Sequence, residues 1–227
     1  MKFGYIKIAE RYKYCLLIFL LIAFHSINNY FWIKQDSESM GWDDPHHINM
    51  VVSLHHEFKN IFFSNLSFSE KFKSFGQSFF SVHLASLPFV ITFPRLVHSI
   101  TALISFMFKD ILFYIRFSNI IYFVILIVST YLLGKKIHSP KVGIISAYLI
   151  SFYPSVFGLS RKFGLDFPLL AMVCLIMYFL LRCDEFHNRL FSVMFGISLG
   201  LGMLVKGQCI FFIIGPLLYV ILKGLKK

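Results

Sequence analysis

Six long apolar segments, separated by short basic clusters, constrain the fold of this 227-residue chain more than any other feature. They cover roughly residues 14–33, 117–134, 142–158, 166–181, 190–205 and 208–222. Several hold only about 16 residues, or roughly 24 Å of helix, so we expect the helix ends to extend beyond these limits. A hydrophobic content of 57%, 29 Phe and a mean hydropathy of +0.72 exceed what a soluble globular surface tolerates. We therefore predict an all-α, multi-pass transmembrane bundle of about six spans.

The net charge of +11 does not indicate a nucleic-acid partner in this setting. The basic residues form short clusters between apolar segments, as in the cytoplasmic loops of membrane proteins. The four cysteines lie in or beside apolar segments, so neither a disulfide framework nor a thiolate metal site is indicated. We expect the cysteines to serve in packing.

Four basic residues precede the first apolar segment: Lys2, Lys7, Arg11 and Lys13. That segment is too long for a signal-peptide core and lacks a small-residue cleavage site, which indicates a signal anchor with a cytoplasmic N-terminus. The loop that follows, about residues 34–116, then lies outside. Its first part, residues 34–77, contains six of the chain's 11 acidic residues.

Residues 84–108 are long and apolar enough to cross the membrane, but Pro88 and Pro94 interrupt them and they carry Arg95 and His98. If they do not cross, most later basic residues are cytoplasmic: Lys135, Lys136, Lys141, Arg182, Arg189, Lys223, Lys226 and Lys227. If they cross once, the positive-inside rule fails at nearly every later loop. We therefore predict that this segment is interfacial or re-entrant, and that the C-terminus is cytoplasmic.

An acidic pair, Asp43-Asp44, lies in the outer loop directly before Pro45. Asp44 has an ordinary local explanation, because an aspartate beside a proline caps free backbone amides at a helix start. Asp43 lacks such an explanation and is a candidate functional carboxylate.

The predicted topology brings Arg161, Asp166 and Lys206 to the same outer face as the acidic pair. Each has a structural alternative: Arg161 and Lys206 suit interfacial anchors, and Asp166 suits a helix cap. Their concentration at one water–lipid boundary nevertheless favours a functional site.

Carboxylates and cations at one membrane face suit transfer of a group from a lipid-phosphate donor to a hydroxyl or amine acceptor. Asp43 is the better candidate for the general base, since capping occupies Asp44. Asp166 is a candidate second acidic group and, with Asp43, a candidate ligand of a divalent metal ion. The candidates for holding the donor phosphate are Arg95, Arg161 and Lys206.

Four histidines follow the acidic pair: His46, His47, His55 and His56. On a helix beginning at Pro45 the two pairs are more than two turns apart, too far for one zinc ion, while an apolar face forms from Ile48, Val51, Val52 and Phe58. We expect structural or interfacial histidines, with His47 near enough to Asp43 to assist it. Gly196 and Gly200, with Gly202 nearby, have the spacing typical of helix packing.

Short motifs follow one another along nearly the whole chain. After Trp42-Asp43-Asp44-Pro45-His46-His47 come Phe93-Pro94-Arg95-Leu96, a later Arg116, Tyr131-Leu132-Leu133-Gly134-Lys135-Lys136, Ser139-Pro140-Lys141-Val142-Gly143, Ser160-Arg161-Lys162-Phe163-Gly164-Leu165-Asp166 and Gly202-Met203-Leu204-Val205-Lys206-Gly207. In this order they resemble the GT-C membrane glycosyltransferases, specifically the group of the protein O-mannosyltransferases and the aminoarabinose transferase that modifies lipid A.

The resemblance implies a transferase that uses a polyprenyl-phosphate-linked sugar, with Asp43 and Asp44 in the catalytic site and interfacial helices shaping the donor groove. A divalent metal ion is the one cofactor to consider, and the acceptor stays open between a glycan, a lipid and a protein. We expect a multi-pass protein of the bacterial inner membrane, in contact with its lipids, with the site on the outer face.

The chain departs from the family pattern at Asp44, where a Glu is usual, at His47, where a Tyr is common, and at Val205, which replaces a Thr. Family members usually continue for several further spans, so we expect residues 1–227 to be the N-terminal module, with the C-terminal half absent. The alternative function is a non-catalytic membrane protein, either a truncated pseudoenzyme or a small transporter. Charges at one interface and the lack of an internal repeat argue against a transporter.

Overall fold

The computed structural model describes residues 2–36, 44–80, 94–106 and 111–225. All regular elements of these residues are α-helices, which confirms the predicted all-α class. The helices are α1 (Lys2–Gln35), α2 (Asp44–Phe63), α3 (Phe68–Phe80), α4 (Leu96–Phe106), α5 (Ile111–Phe117), α6 (Asn119–Ile137), α7 (Pro140–Phe152), α8 (Pro154–Leu159), α9 (Asp166–Arg182), α10 (Arg189–Val205) and α11 (Cys209–Gly224).

Among the described residues, two stretches are long and apolar enough to cross a membrane: Tyr12–Gln35 of α1 and Leu112–Ile137, which combines α5 and α6. Pro140–Phe152, Arg189–Val205 and Cys209–Gly224 are shorter apolar helices. Many of their large side chains remain exposed, among them Phe19 in α1 and Phe211 in α11. Apolar side chains on the outside of a helical bundle are what a lipid environment requires.

The bundle has two opposite ends, which contacts between distant residues define. One end, which we call the Asp36 pole, is joined by contacts between the ends of different helices: Asn119 donates to the Lys162 carbonyl, and Lys206 donates to Asp166. This pole contains Asp36, Arg116, Asn119, Arg161, Asp166 and Lys206. The other end, the Lys135 pole, carries the end of α6 and the start of α7, and there Lys223 pairs with Glu185 at 2.9 Å. The chain therefore passes six times between the poles, through α1, α6, the pair α7 and α8, α9, α10 and α11.

The long loop between α1 and α6 returns to the pole from which it leaves. Arg116 Nη1 in α5 lies 2.8 Å from Asp36 Oδ2, one residue beyond α1. Within the loop, α4 has 11 residues, or roughly 16 Å of helix, which is too short to cross. For residues 94–106, the described part of the segment, these observations agree with the prediction that residues 84–108 do not cross; residues 84–93 and 107–108 lie outside the described ranges.

Helices α2, α3 and α4 form a layer inside this loop. The face of α2 that the sequence predicts to be apolar is buried against α4, with Ile48, Val51 and Phe58 each at most 5% exposed. Phe75 of α3 packs on Phe58 with ring centroids 5.0 Å apart. A capping box begins α3, because Ser67 Oγ accepts from the Glu70 amide while Glu70 accepts from the Ser67 amide and hydroxyl.

Two predictions about helices need correction. The predicted continuous span 142–158 is broken, because Tyr153 is extended before Pro154 and separates α7 from α8, as expected for the residue preceding a proline. Gly196 and Gly200 do not mediate packing among the described residues, since a Cβ added at either would meet no atom within 4 Å. Gly202 does, because a Cβ there would lie 2.7 Å from Ile176 Cδ1 and 2.8 Å from Cys209 Sγ.

Candidate functional site

The pair Asp166 and Lys206 is the clearest ionic feature of the Asp36 pole. Asp166 is the first residue of α9 and Lys206 directly follows α10, so two neighbouring helices deliver them to one place. Lys206 Nζ donates to Asp166 Oδ1 at 2.6 Å, and the two side chains are 21% and 67% exposed. The structure thus joins a predicted phosphate-binding lysine with the predicted second acidic residue. Because the Asp166 carboxylate pairs with Lys206, Asp166 does not serve only as a helix cap, which was the structural alternative for this residue.

Arg161 is directed towards α1. Its Nε donates to Asn29 Oδ1 at 3.0 Å, its Nη2 donates to Asn28 Oδ1, and its guanidinium lies 3.9 Å from the Phe157 ring centroid and 4.9 Å from that of Trp32. Asn29 also donates to Ser160 Oγ at 3.1 Å. These contacts give Arg161 a structural role in holding the loop before α9 against α1, while its contact with a donor phosphate stays a prediction.

Asn119 fixes the same loop from the other side. Its Nδ2 donates to the Lys162 carbonyl at 2.6 Å and lies 3.4 Å from the carbonyls of Leu159 and Ser160. The side chain is buried at the start of α6. Sequence reasoning missed this residue, although an amide at the first position of an apolar helix is a signal that could have identified it.

A histidine pair connects α2 to α4. His47 Nδ1 lies 2.9 Å from His98 Nε2, and the two side chains are 6% and 0% exposed. Burial, and then the neighbouring His47, His46 and Arg95, lower the pKa of His98 to about 3, whereas the Pro94 carbonyl acts in the opposite direction. His98 is therefore neutral at physiological pH, and one of the two facing ring nitrogens donates to the other. Sequence reasoning noted His98 only as an obstacle to a membrane span and did not predict this partnership.

The second histidine pair has a different environment. His55 Nδ1 lies 3.1 Å from Ser105 Oγ, near the other end of α4 from His98. Burial, and then His56 and Lys59, lower the pKa of His55. His47 and His55 thus serve as structural contacts to α4, and within the described residues no three His, Cys, Asp or Glu side chains form a metal-binding group.

Arg95 lies beside the first turns of α2. Its Nη1 is 3.8 Å from Glu57 Oε2, and Glu57 Oε1 accepts from Ser78 at 2.5 Å. Arg95 lines a cleft of about 230 Å³ together with His46, Asn49, Met50, Ser53 and Leu54. A predicted phosphate-binding residue therefore lies along α2, beside a cleft that begins at His46 and with its ion pair at Glu57, in the fourth turn of the helix.

Asp44 is the first residue of α2, as the sequence predicts. Asp43, and the side chain of Asp44, lie outside the described residues, so the catalytic assignment of the pair and the metal site shared by Asp43 and Asp166 remain predictions. His47 is described and lies one turn into α2, on the side facing His98.

The α2–α4 layer and the Asp166–Lys206 pair belong to the same pole. The ring of His98 lies 6.1 Å from that of Phe163, three residues before Asp166. Helix α4 also contacts α10, the helix that ends next to Lys206. The tertiary structure therefore places Arg95, His47, Asp166 and Lys206 around one end of the bundle.

These features define an α-helical integral membrane protein with a charged site at one end of its helices. Residues 93–227 match the dolichyl-phosphate-mannose-protein mannosyltransferase family, and the chain belongs to that family. It is thus a membrane glycosyltransferase of the GT-C type, as the order of motifs suggests. No curated protein and no solved structure gave a match. The matched region contains Arg95, Arg161, Asp166 and Lys206 but not Asp43 or Asp44.

Proposed function

We propose that the protein transfers a sugar from a polyprenyl-phosphate donor to an acceptor at the outer face of the membrane. The observation that supports this most is the Lys206–Asp166 pair, which lies at the same pole as Arg95 and the start of α2. A lipid-linked phosphate enters from the bilayer boundary, which is where these residues lie. The family match adds the class of reaction.

Transfer breaks the bond between the anomeric carbon and the donor phosphate oxygen, and forms a bond from that carbon to the acceptor oxygen. In this proposal Asp43 accepts the proton of the acceptor hydroxyl, and Asp44 begins α2 beside it. The polyprenyl phosphate that leaves carries the negative charge. Arg95 and Lys206 neutralise that charge, which lowers the barrier to its departure. His47, held by His98, lies one turn into α2, and in this proposal it assists Asp43.

Lys206 suits a phosphate that arrives and leaves. Its ammonium has three protons and one of them is directed to Asp166. Asp166 is largely exposed, so water weakens its attraction for the lysine. The remaining ammonium protons are available to a donor phosphate, as a second cationic contact beside Arg95.

The basic clusters support the sidedness of the proposal. Lys135, Lys136 and Lys141 lie at the Lys135 pole, and so do Arg182, Arg189 and Lys223 at the ends of the later helices. The positive-inside rule assigns such a pole to the cytoplasm, which puts the Asp36 pole outside and both termini inside. A bacterial inner membrane suits this arrangement.

A divalent metal ion is not needed for the steps above. In the part of the chain that the structure describes, Asp166 is the one predicted metal ligand, and Lys206 engages one of its oxygens. A divalent metal ion beside Asp166 would need Asp43 as a second ligand. Bound there, the ion would neutralise more of the phosphate charge.

The test is turnover of a polyprenyl-phosphate sugar by the purified protein in detergent with a membrane extract that contains acceptors. Asp43→Asn is expected to abolish transfer, because an amide cannot take the acceptor proton. Glu70→Gln is the matched control, since it makes the same change at an exposed carboxylate of α3 in the same loop. Thermal unfolding shows whether both variants remain folded. Full turnover in Asp43→Asn removes Asp43 from the role of base, and no turnover by the wild-type chain contradicts the proposed activity.

A further inference from the structure

The cleft beside Arg95 has a lining that no step of the mechanism has used. His46, Asn49, Met50 and Ser53 lie along one face of α2, at spacings of three and four residues that put side chains on the same side of a helix. Leu54 closes the floor and is 2% exposed. The cleft has a volume of about 230 Å³, and His46 is the lining residue nearest to the start of α2.

The side chains of this lining combine neutral hydrogen-bonding groups with an apolar floor. The Asn49 amide offers two donors and an acceptor, and the Ser53 hydroxyl both donates and accepts. Both side chains are exposed and neither hydrogen-bonds another of the described residues. Met50 and Leu54 supply apolar contact between them. Sugar rings need this combination, because their edges carry hydroxyls and their faces carry C–H groups.

Among the described residues of the lining, Arg95 is the one permanently charged side chain. A phosphate held by Arg95 would direct the group attached to it along the α2 face, towards Asn49 and Ser53. A polyprenyl tail does not suit this cleft, because an apolar chain would bury the amide and the hydroxyl without hydrogen bonds. Among the described lining residues, Asn49, Met50, Ser53 and Leu54 carry no charge.

We propose that this cleft binds the sugar of the donor, with Asn49 and Ser53 holding its hydroxyls and Met50 and Leu54 packing against its C–H face. The inference rests on the proposed function, since it takes a polyprenyl-phosphate sugar as the ligand. It adds which residues distinguish the sugar from its carrier.

The test compares three lipids that share one carrier: two carry different sugars and the third carries none. Binding of dolichyl-phosphate mannose, dolichyl-phosphate glucose and dolichyl phosphate to the purified chain in detergent is measured by thermophoresis. Asn49→Ala and Ser53→Ala should each weaken binding of the better glycosylated lipid about 5- to 10-fold, as expected for a lost hydrogen bond, and leave dolichyl phosphate unchanged. Arg95→Gln should weaken binding of all three lipids.

Asn60→Ala is the matched control, because Asn60 is an exposed asparagine of the same helix that lines a different cleft, between α2 and α3. It should bind all three lipids as the wild type does. Equal losses for the glycosylated lipid and dolichyl phosphate in Asn49→Ala and Ser53→Ala overturn the inference, and so does unchanged binding. If the wild type binds none of the three lipids, the proposed function itself fails. If the wild type binds all three lipids but Asn49→Ala and Ser53→Ala do not selectively weaken binding of the glycosylated lipid, the sugar site is contradicted and the proposed function is not.

Discussion

His98 shows how a single buried residue couples the fold to pH. Its ring is fully buried, and its Nε2 lies 2.9 Å from His47 Nδ1. Burial is the main reason that the pKa falls from 6.5 to about 3, and the neighbouring His47, His46 and Arg95 add to it. In the unfolded chain the same ring regains an ordinary pKa near 6.5. Between these two values the unfolded chain binds a proton that the folded chain does not.

Stability is therefore expected to fall as the pH drops below 6.5 and to continue falling towards pH 3, because the unfolded state binds more protons in that window. At pH 5 the contribution of His98 is about 2 kcal/mol, from 1.36 kcal/mol per pKa unit. Thermal unfolding in detergent at pH 7 and pH 5 measures it. His98→Gln keeps a hydrogen-bonding group but does not titrate, so the difference between the two pH values should shrink.

His138→Gln is the control for this experiment, since His138 is exposed at the opposite pole. That variant should keep the full wild-type difference between pH 7 and pH 5. If His98→Gln remains as acid-sensitive as the wild type, another group is responsible for the loss of stability.

The pair Asp36 and Arg116 illustrates a residue whose role only its partner reveals. The sequence shows Asp36 as one of six acids in residues 34–77 and Arg116 as an isolated cation before an apolar segment. The structure brings them within 2.8 Å, with side chains 6% and 14% exposed. Eighty positions separate them, and no local pattern encodes a contact over that separation.

At the scale of the elements, the contact between α6 and α7 depends on two glycines. A Cβ on Gly134 would lie 2.7 Å from Gly143 Cα, and a Cβ on Gly143 would contact the Tyr131 carbonyl oxygen. Ser139 caps α7 by accepting from the Val142 amide at 3.3 Å, and Pro140 follows it. The two family-like motifs around these glycines are therefore explained by a tight, well-capped turn between antiparallel helices.

Gly143→Ala is expected to destabilise the protein by about 1–3 kcal/mol, because the added methyl meets backbone atoms that cannot move without separating the helices. Gly200→Ala is the matched control, since a Cβ at this helical position meets nothing within 4 Å. It should be neutral or stabilising by up to about 1 kcal/mol, the difference in helix propensity. Thermal unfolding of the two variants in one detergent measures both. A loss at Gly200 as large as that at Gly143 would contradict this account.

Helix positions were largely predictable, and helix ends were less so. The apolar segments locate α1, α6, α9, α10 and α11 because a membrane-spanning helix must be apolar over its length. The interruption between α7 and α8 depends on Pro154, which a count of apolar residues ignores. The sequence also did not predict which glycine of α10 packs against another helix. Gly202 lies on the face of α10 that meets α9, and Gly196 does not.

At the scale of the whole molecule, alternating passes collect the charges of the site at the Asp36 pole and most basic clusters at the Lys135 pole. Labelling from one side of the membrane tests this separation. With the native cysteines replaced by alanine, Lys162→Cys should react with an impermeant maleimide from the outside, and His138→Cys should react only after the membrane is opened. Both positions are exposed.

Lys223→Cys is a second inside position, because Lys223 pairs with Glu185 at the Lys135 pole. It should behave as His138→Cys does. Outside labelling of His138→Cys together with protection of Lys162→Cys would invert the sidedness, and would leave the fold unchanged but place the site in the cytoplasm.

The sequence by itself determined the all-α membrane class and the family resemblance, because hydrophobicity and helix length act locally along the chain. It also selected Arg95, Asp166 and Lys206 as charges that reach one face. Only the tertiary structure decided which side chains contact each other. Lys206 pairs with Asp166, Arg161 hydrogen-bonds to α1, and His98 hydrogen-bonds to His47. Such pairings join residues far apart in the chain, and helix packing alone fixes the distances between them.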